Sequence, residues 1–175
     1  YSDDNGATWT NSANDPTSGQ KRGITWDGSQ FLCAANGPNS IATSPDGVTW
    51  TARTNPLVTW VGEIAYNGSM HVATGVGGGF GIATSTDGGV TWTGRSSGIV
   101  IGYAIAWNGS VWVAGADNSG VDQLSYSTDG INWTGLGSSV FSIGGFGVAW
   151  DGNQFLAVGR GTNTAATSPD GINWT

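Results

Sequence analysis

Groups able to do chemistry are few in this chain. Its 175 residues include five Lys and Arg, twelve Asp and Glu, one His and one Cys. Glu63 and His71 stand alone as the only residues of their types. No stretch has the order of a Ser-His-Asp set, a zinc ligand set or a phosphate-binding loop. His71 takes a position that Phe31, Trp112 and Phe155 take elsewhere, so it reads as filling space rather than as a base. Cys33 is the only cysteine, which excludes an intrachain disulfide and a thiolate metal cluster. Within an apolar run a free thiol behaves as a small hydrophobe. The expectation is a chain that is not an enzyme, with no cofactor and no metal.

The carboxylates that do recur fall in one pattern. Ser85-Thr86-Asp87-Gly88-Gly89-Val90-Thr91-Trp92 is matched by Ser2 to Trp9. Residues 44–50, 127–133 and 168–174 carry copies one residue shorter, two of them with Asn132 and Asn173 in place of Thr. The tryptophans Trp9, Trp50, Trp92, Trp133 and Trp174 lie 41 or 42 residues apart. Such a period marks a repeat architecture. Each turn offers one carboxylate, from Asp4, Asp46, Asp87, Asp129 or Asp170. A calcium site wants about six to eight oxygens, so these side chains are expected to accept N–H groups of their own turns.

A second unit alternates with the first. Ile24-Thr25-Trp26-Asp27-Gly28-Ser29-Gln30-Phe31-Leu32-Cys33 recurs from Ile64, Ile105 and Val148. Asp-Gly or Asn-Gly between two apolar runs is a strong hairpin signal. A full repeat is therefore four antiparallel strands, a to d, with the first hairpin joining a to b and the Ser-x-Asp turn joining c to d. The reading is an all-β chain, a β-propeller of four-stranded blades. Residues 1–175 form a single domain or a fragment of one. Four full blades cover about 24–51, 64–93, 105–134 and 148–175, and residues 1–10 form an extra c–d hairpin. One small sheet cannot bury both faces, so blades must stack. Because the extra hairpin has no a and b strands, the ring is expected to need material beyond this chain, from a homo-oligomer that completes it or from a longer propeller, with a ring of four blades closed alone as the alternative.

The Ser-x-Asp turn resembles the Asp-box of the BNR repeat family, with pattern Ser-x-Asp-x-Gly-x-Thr-Trp; residues 2–9 and 85–92 match it fully. The resemblance covers essentially the whole chain. It implies a propeller of the kind found in sialidases, photosystem assembly factors, sorting receptors and some lectins, with the box structural rather than catalytic. The sialidases also need three arginines, a Tyr/Glu nucleophile pair and an Asp acid. None of their flanking patterns surrounds the four arginines or Glu63 here.

Net charge is −7, but only 17 side chains are charged. A nucleic-acid partner needs a basic patch, and no apolar run approaches the roughly 18 residues of a membrane span. Neither partner is expected. A soluble chain is, with the extracellular space or a virion or cell surface favoured. Lys21, Arg22, Arg53 and Arg95 are assigned to d–a connections and Arg160 to a b–c connection, on the face that commonly carries a propeller's site. Trp60 breaks the repeat, and with Arg53 and Glu63 it could make a sugar platform. Asp117, Asn118 and Asp122 lie in the most charged b–c loop. The candidate ligand residues are thus Arg22, Arg53, Trp60, Glu63, Arg95, Asp117, Asn118, Asp122 and Arg160. A glycan-binding propeller is the first reading, a protein-binding scaffold the second, and a fragment of an Asp-box glycosidase the third.

Overall fold

The computed structural model describes all residues except 13, 18, 118 and 119. Fifteen strands form four antiparallel sheets in chain order. The first holds β1 (Lys21–Trp26), β2 (Phe31–Ala35), β3 (Ile41–Ser44) and β4 (Thr51–Arg53). The second holds β5 (Trp60–Tyr66), β6 (His71–Gly77), β7 (Phe80–Ser85) and β8 (Thr93–Arg95). The third holds β9 (Gly102–Trp107), β10 (Trp112–Ala116), β11 (Leu124–Ser127) and β12 (Thr134–Gly135). The fourth holds β13 (Gly144–Trp150), β14 (Phe155–Arg160) and β15 (Ala165–Ser168). A fourth strand was expected there too. At that position Thr175 pairs both its N–H and its C=O with Thr167.

Each hairpin turn is closed by its own side chain. Asp27, Asn67, Asn108 and Asp151 accept the N–H groups two and three residues on. The glycine after each has a positive φ, 97–99°. An aromatic pair then bridges the two strands: Trp26–Phe31, Tyr66–His71, Trp107–Trp112 and Trp150–Phe155, with centroids 4.4–4.9 Å apart. His71 fills its aromatic slot, 2% exposed and stacked on Tyr66. Its Nε2 lies 3.3 Å from Asp27 of the preceding unit.

The five Ser-x-Asp turns share one bonding scheme. The Ser hydroxyl donates to Asp Oδ1 and accepts a glycine N–H at 2.8–2.9 Å. Oδ1 accepts one or two backbone N–H groups beyond it. The Trp Nε1 donates to the turn glycine's carbonyl. Asn132 and Asn173 donate Nδ2 to the same Oδ2 that Thr8 and Thr91 reach with their hydroxyls. The substitution of Asn for Thr therefore preserves the turn. The extra residue of the longer copies is absorbed as a second left-handed residue: Asn5 with Gly6, and Gly88 with Gly89.

The sheets stack through their first strands: β1 touches β5, β5 touches β9 and β9 touches β13. These are the blade-like units expected, but the described residues do not close into a ring. β3, β6, β7 and β10 are buried on both faces, whereas β1 and β14 alternate between more covered and exposed positions. One sequence expectation shifts for that reason: Cys33 is half-buried because it lies on the open face of the first sheet. Trp9, in the extra hairpin, is 76% exposed. Among the described residues no helix is long and apolar enough to cross a membrane.

The turn carboxyls titrate low. The hydroxyls of Thr8 and Thr91, then nearby N–H groups, hold Asp4 and Asp87 at about 2. Asp129 and Asp170 are held down first by the N–H groups of Asn132 and Asn173, and Asp46 by that of Thr49. An unfolded Asp titrates near ~4, so the stability from these groups is present above that pH and lost as pH falls toward ~2. The urea midpoint should fall steeply below about pH 4. A midpoint unchanged down to about pH 2 contradicts the scheme. Val90 and Thr91 are exposed, so water can replace Asp87 on their N–H groups. Asp87→Ala should accordingly cost only about 1–2 kcal/mol in chemical denaturation.

Candidate functional site

The innermost strands β1, β5, β9 and β13 each carry a bulge at the same place. Register skips one residue between Lys21 and Gly23, between Val61 and Glu63, between Gly102 and Ala104, and between Gly145 and Gly147. The skipped residues are Arg22, Gly62, Tyr103 and Phe146. A bulge leaves its extra residue unpaired and re-aims the side chain. Here three of the four bulges deliver side chains, from Arg22, Tyr103 and Phe146, to one line across the four sheets.

The line is continuous. Gly62 has no side chain, and Trp60 folds over it: a Cβ at Gly62 would lie 2.8 Å from the Trp60 ring. The Arg22 guanidinium stands 4.4 Å from the Trp60 ring centre. The Trp60 and Tyr103 rings lie 5.1 Å apart, and Tyr103 meets Phe146 edge-on at 5.2 Å. Cation–π contact of this kind is worth about 0.5–1 kcal/mol at an exposed site. Arg22 Nε also donates to Asn36 Oδ1 at 2.6 Å, which fixes its plane. Trp60 thus has Arg22 and Tyr103 as neighbours within the row, and the more open ring is Phe146, 40% exposed.

The expected cluster of Trp60, Arg53 and Glu63 is replaced by a different one. Arg53 does not stand on Trp60. It lies in outer strand β4 and donates Nε to Thr43 at 2.9 Å; Arg95 in β8 does the same to Thr84 at 2.8 Å. These two arginines brace the outer strands. Glu63 turns toward the third sheet, where Oε2 accepts the Ile105 N–H at 3.0 Å. This bond caps an inner-edge backbone group that has no strand beside it. Burial pushes the Glu63 carboxyl up, partly offset by that N–H.

The remaining candidates are dispersed. The basic residues assigned to connections sit in strand ends instead: Lys21 and Arg22 open β1, Arg53 and Arg95 close β4 and β8, and Arg160 closes β14. Strands here run further than the apolar pattern, because backbone pairing continues through polar residues. Lys21 Nζ is bound to Asp15 and to the carbonyls of Thr17 and Gly19. Asp122 accepts the Gly137 N–H at 2.9 Å and lies flat on Gly135, where a Cβ would fall 2.0 Å from its carboxyl. It shapes a loop. Asp117 donates its N–H to the Ile101 carbonyl. Asn118 lies outside the described residues. Among the described residues no three His, Cys, Asp or Glu side chains gather as a metal would need.

Tyr103, Phe146 and Asn36 escaped the sequence reading. A signal was present: Arg22, Gly62, Tyr103 and Phe146 each precede the turn aromatic by four residues. Three of those four are large in strands otherwise rich in small residues.

No known family model matches the chain, and no curated protein matches it in sequence. Solved structures do resemble it. A chain of a nidogen/laminin complex aligns at TM-score 0.68 and 16% identity, over 89% of this chain and 64% of that one. The computationally designed Ika4 protein aligns at 0.67 and 9%, over 91% and 96%. YCF48 from Cyanidioschyzon merolae aligns at 0.62 and 19%, over 93% and 57%. The chain thus spans less than two thirds of the nidogen/laminin and YCF48 chains. At such identities the likeness is one of fold alone, an all-β array of stacked sheets.

Glu63 yields a test of the geometry. Its carboxyl is raised in the folded state, so the ionised form costs stability above the folded pKa, and the cost disappears as pH falls toward the unfolded value. Glu63→Gln keeps an acceptor for Ile105 without the charge. Its thermal midpoint at pH 7 should equal or exceed the parent's, with the difference gone below about pH 4. A variant clearly less stable at neutral pH contradicts the assignment.

Proposed function

We propose that this chain is a β-propeller-type module of the Asp-box kind that binds ligand without transforming it, and that the ligand is an uncharged glycan received along the row of Arg22, Trp60, Tyr103 and Phe146. The observation that carries this reading is the alignment of four bulged inner-strand positions on one line. The repeat places the bulges at equivalent positions, and bulges are over-represented next to active sites. The chemistry fits an uncharged polar ligand. Ring faces and edges receive C–H groups, while the Arg22 N–H groups and the Tyr103 hydroxyl serve sugar hydroxyls. The sparse charge of the whole chain favours neutral ligands over anions. A second reading, a protein-binding assembly module, is favoured by the exposed Ile24, Leu156 and Val158.

An NMR screen of soluble glycans tests the first reading. Shifts should centre on the amides of residues 22, 60, 103 and 146 and on the Trp60 indole. Tyr103→Ala combined with Phe146→Ala should weaken binding at least tenfold while leaving the turn signals in place. A broad panel that shifts no signal overturns the glycan. Binding that survives the double variant removes the row.

A further inference from the structure

Each sheet packs on the next through a contact that the molecule makes three times. In the first, Leu32, Ala34 and Ile41 meet Val61, Ile64 and Ala73. In the second, Met70, Val72 and Ile82 meet Ile105, Trp112 and Ala114. In the third, Ala106, Val113 and Leu124 meet Phe155, Ala157 and Ala166. Every contact has two unlike sides, a forward side on one sheet and a backward side on the next.

Both sides occur once more, uncovered. By strand register Leu156 and Val158 stand in the fourth sheet where Leu32 and Ala34 stand in the first. They are each 46% exposed, against 0% for their counterparts. Ile24 and Cys33 stand where Ile64 and Ala73 stand in the second sheet. Ile24 is 65% exposed and its neighbour Trp26 50%, against 5% for Ile64. Leu156 and Val158 on the forward side and Ile24 and Trp26 on the backward side thus lie open at opposite ends of one molecule, although Ala42, beside Cys33 on the backward side, is 1% exposed.

We propose that a second copy of this chain covers them: the fourth sheet of one copy packs head to tail on the first sheet of the next. The proposal rests on the second functional reading, a protein-binding module, and is independent of the glycan row. Its warrant is continuity with the three internal contacts. The open sides are the two halves of that contact, so a copy of the chain presents to each the surface that its counterpart already buries. Contiguous exposed apolar surface is a mark of interaction sites. Because the halves differ, the association is heterologous, giving a ring where the rotation closes and an open array where it does not.

Residues 1–10 do not prevent it. A cavity of about 760 Å³ separates them from the first sheet, bounded by Trp9, Ile24, Phe31, Cys33, Ala42 and Trp50. The hydrogen bonds described for this segment close within it. It can move aside without breaking a bond to a sheet.

Unlike halves permit a complementation test. Ile24→Glu spoils only the first-sheet side, and Leu156→Glu only the fourth-sheet side. Both positions are exposed in the single chain, so each variant should fold, with far-UV circular dichroism and thermal midpoint as the check. In sedimentation velocity the parent should run heavier than its 17.8 kDa monomer as concentration rises. Each variant alone should stay monomeric, and their equimolar mixture should form a one-to-one dimer, weaker than the parent assembly. Alkylation of Cys33 in the parent should slow over the same concentration range. A parent that stays monomeric, variants that associate as the parent does, or a mixture that fails to associate each overturns the proposal. Unchanged glycan shifts in the monomeric variants would show that the row stands apart from the assembly. Loss of those shifts would overturn that independence.

Discussion

The structure depends on one constraint: a small sheet with apolar residues on both faces must be covered on both. A four-stranded unit of this size has no core of its own, and stability comes from nearest-neighbour contact. The burial follows that rule closely. Leu32, Val61, Val72, Ile82, Val113 and Phe155 are fully enclosed where one sheet meets another, while Ile24, Leu156 and Val158 are open where none does. Small residues on the inner strands let the stacking happen. A Cβ at Gly62 would strike the Tyr103 carbonyl at 2.8 Å, and one at Gly102 the Gly81 carbonyl at 2.7 Å. The bulged row exists because these inner strands are held side by side.

Local chemistry sets up what the stacking then uses. The Ser-x-Asp turn draws its bonds from within a few residues, so it can form before any sheet packs. It aims an indole back over its own glycine, which leaves one ring face for the unit's aromatic pair, as Trp174 does toward Phe155 at 6.5 Å. Asp27 adds a link between units, because it closes its own hairpin and also reaches His71 of the next sheet. Gln30 does likewise, donating to the Gly88 carbonyl at 2.8 Å. Such contacts at the turns complement the apolar ones and keep successive sheets in register.

Much of this was legible in the residues. The period of the tryptophans, the Asn-Gly and Asp-Gly hairpins and the four-strand repeat all rest on local chemistry, and strands formed where that chemistry placed them. The site was less legible. Arg53 is close to Trp60 in sequence, yet Arg22 occupies its ring, because stacking brings successive inner strands together and sends Arg53 to an outer one. Bulges escape a reading based on alternation, since the skipped residue is decided by the neighbouring strand. Glu63 read as a ligand group, but its carboxylate meets a backbone N–H that only the stacked third sheet presents. Closure into a ring depends on faces that no local pattern reports.

The claim that stacking supplies the stability can be read amide by amide in native-state hydrogen exchange on a dilute sample. The slowest amides should lie in β6, β7 and β10, in sheets covered on both sides. Those of β14, a central strand paired on both edges as β6, β7 and β10 are, should exchange markedly faster because one of its faces is open. Equal protection across all four sheets would contradict the account, because it would mean that the sheets are stable without a neighbour on each face.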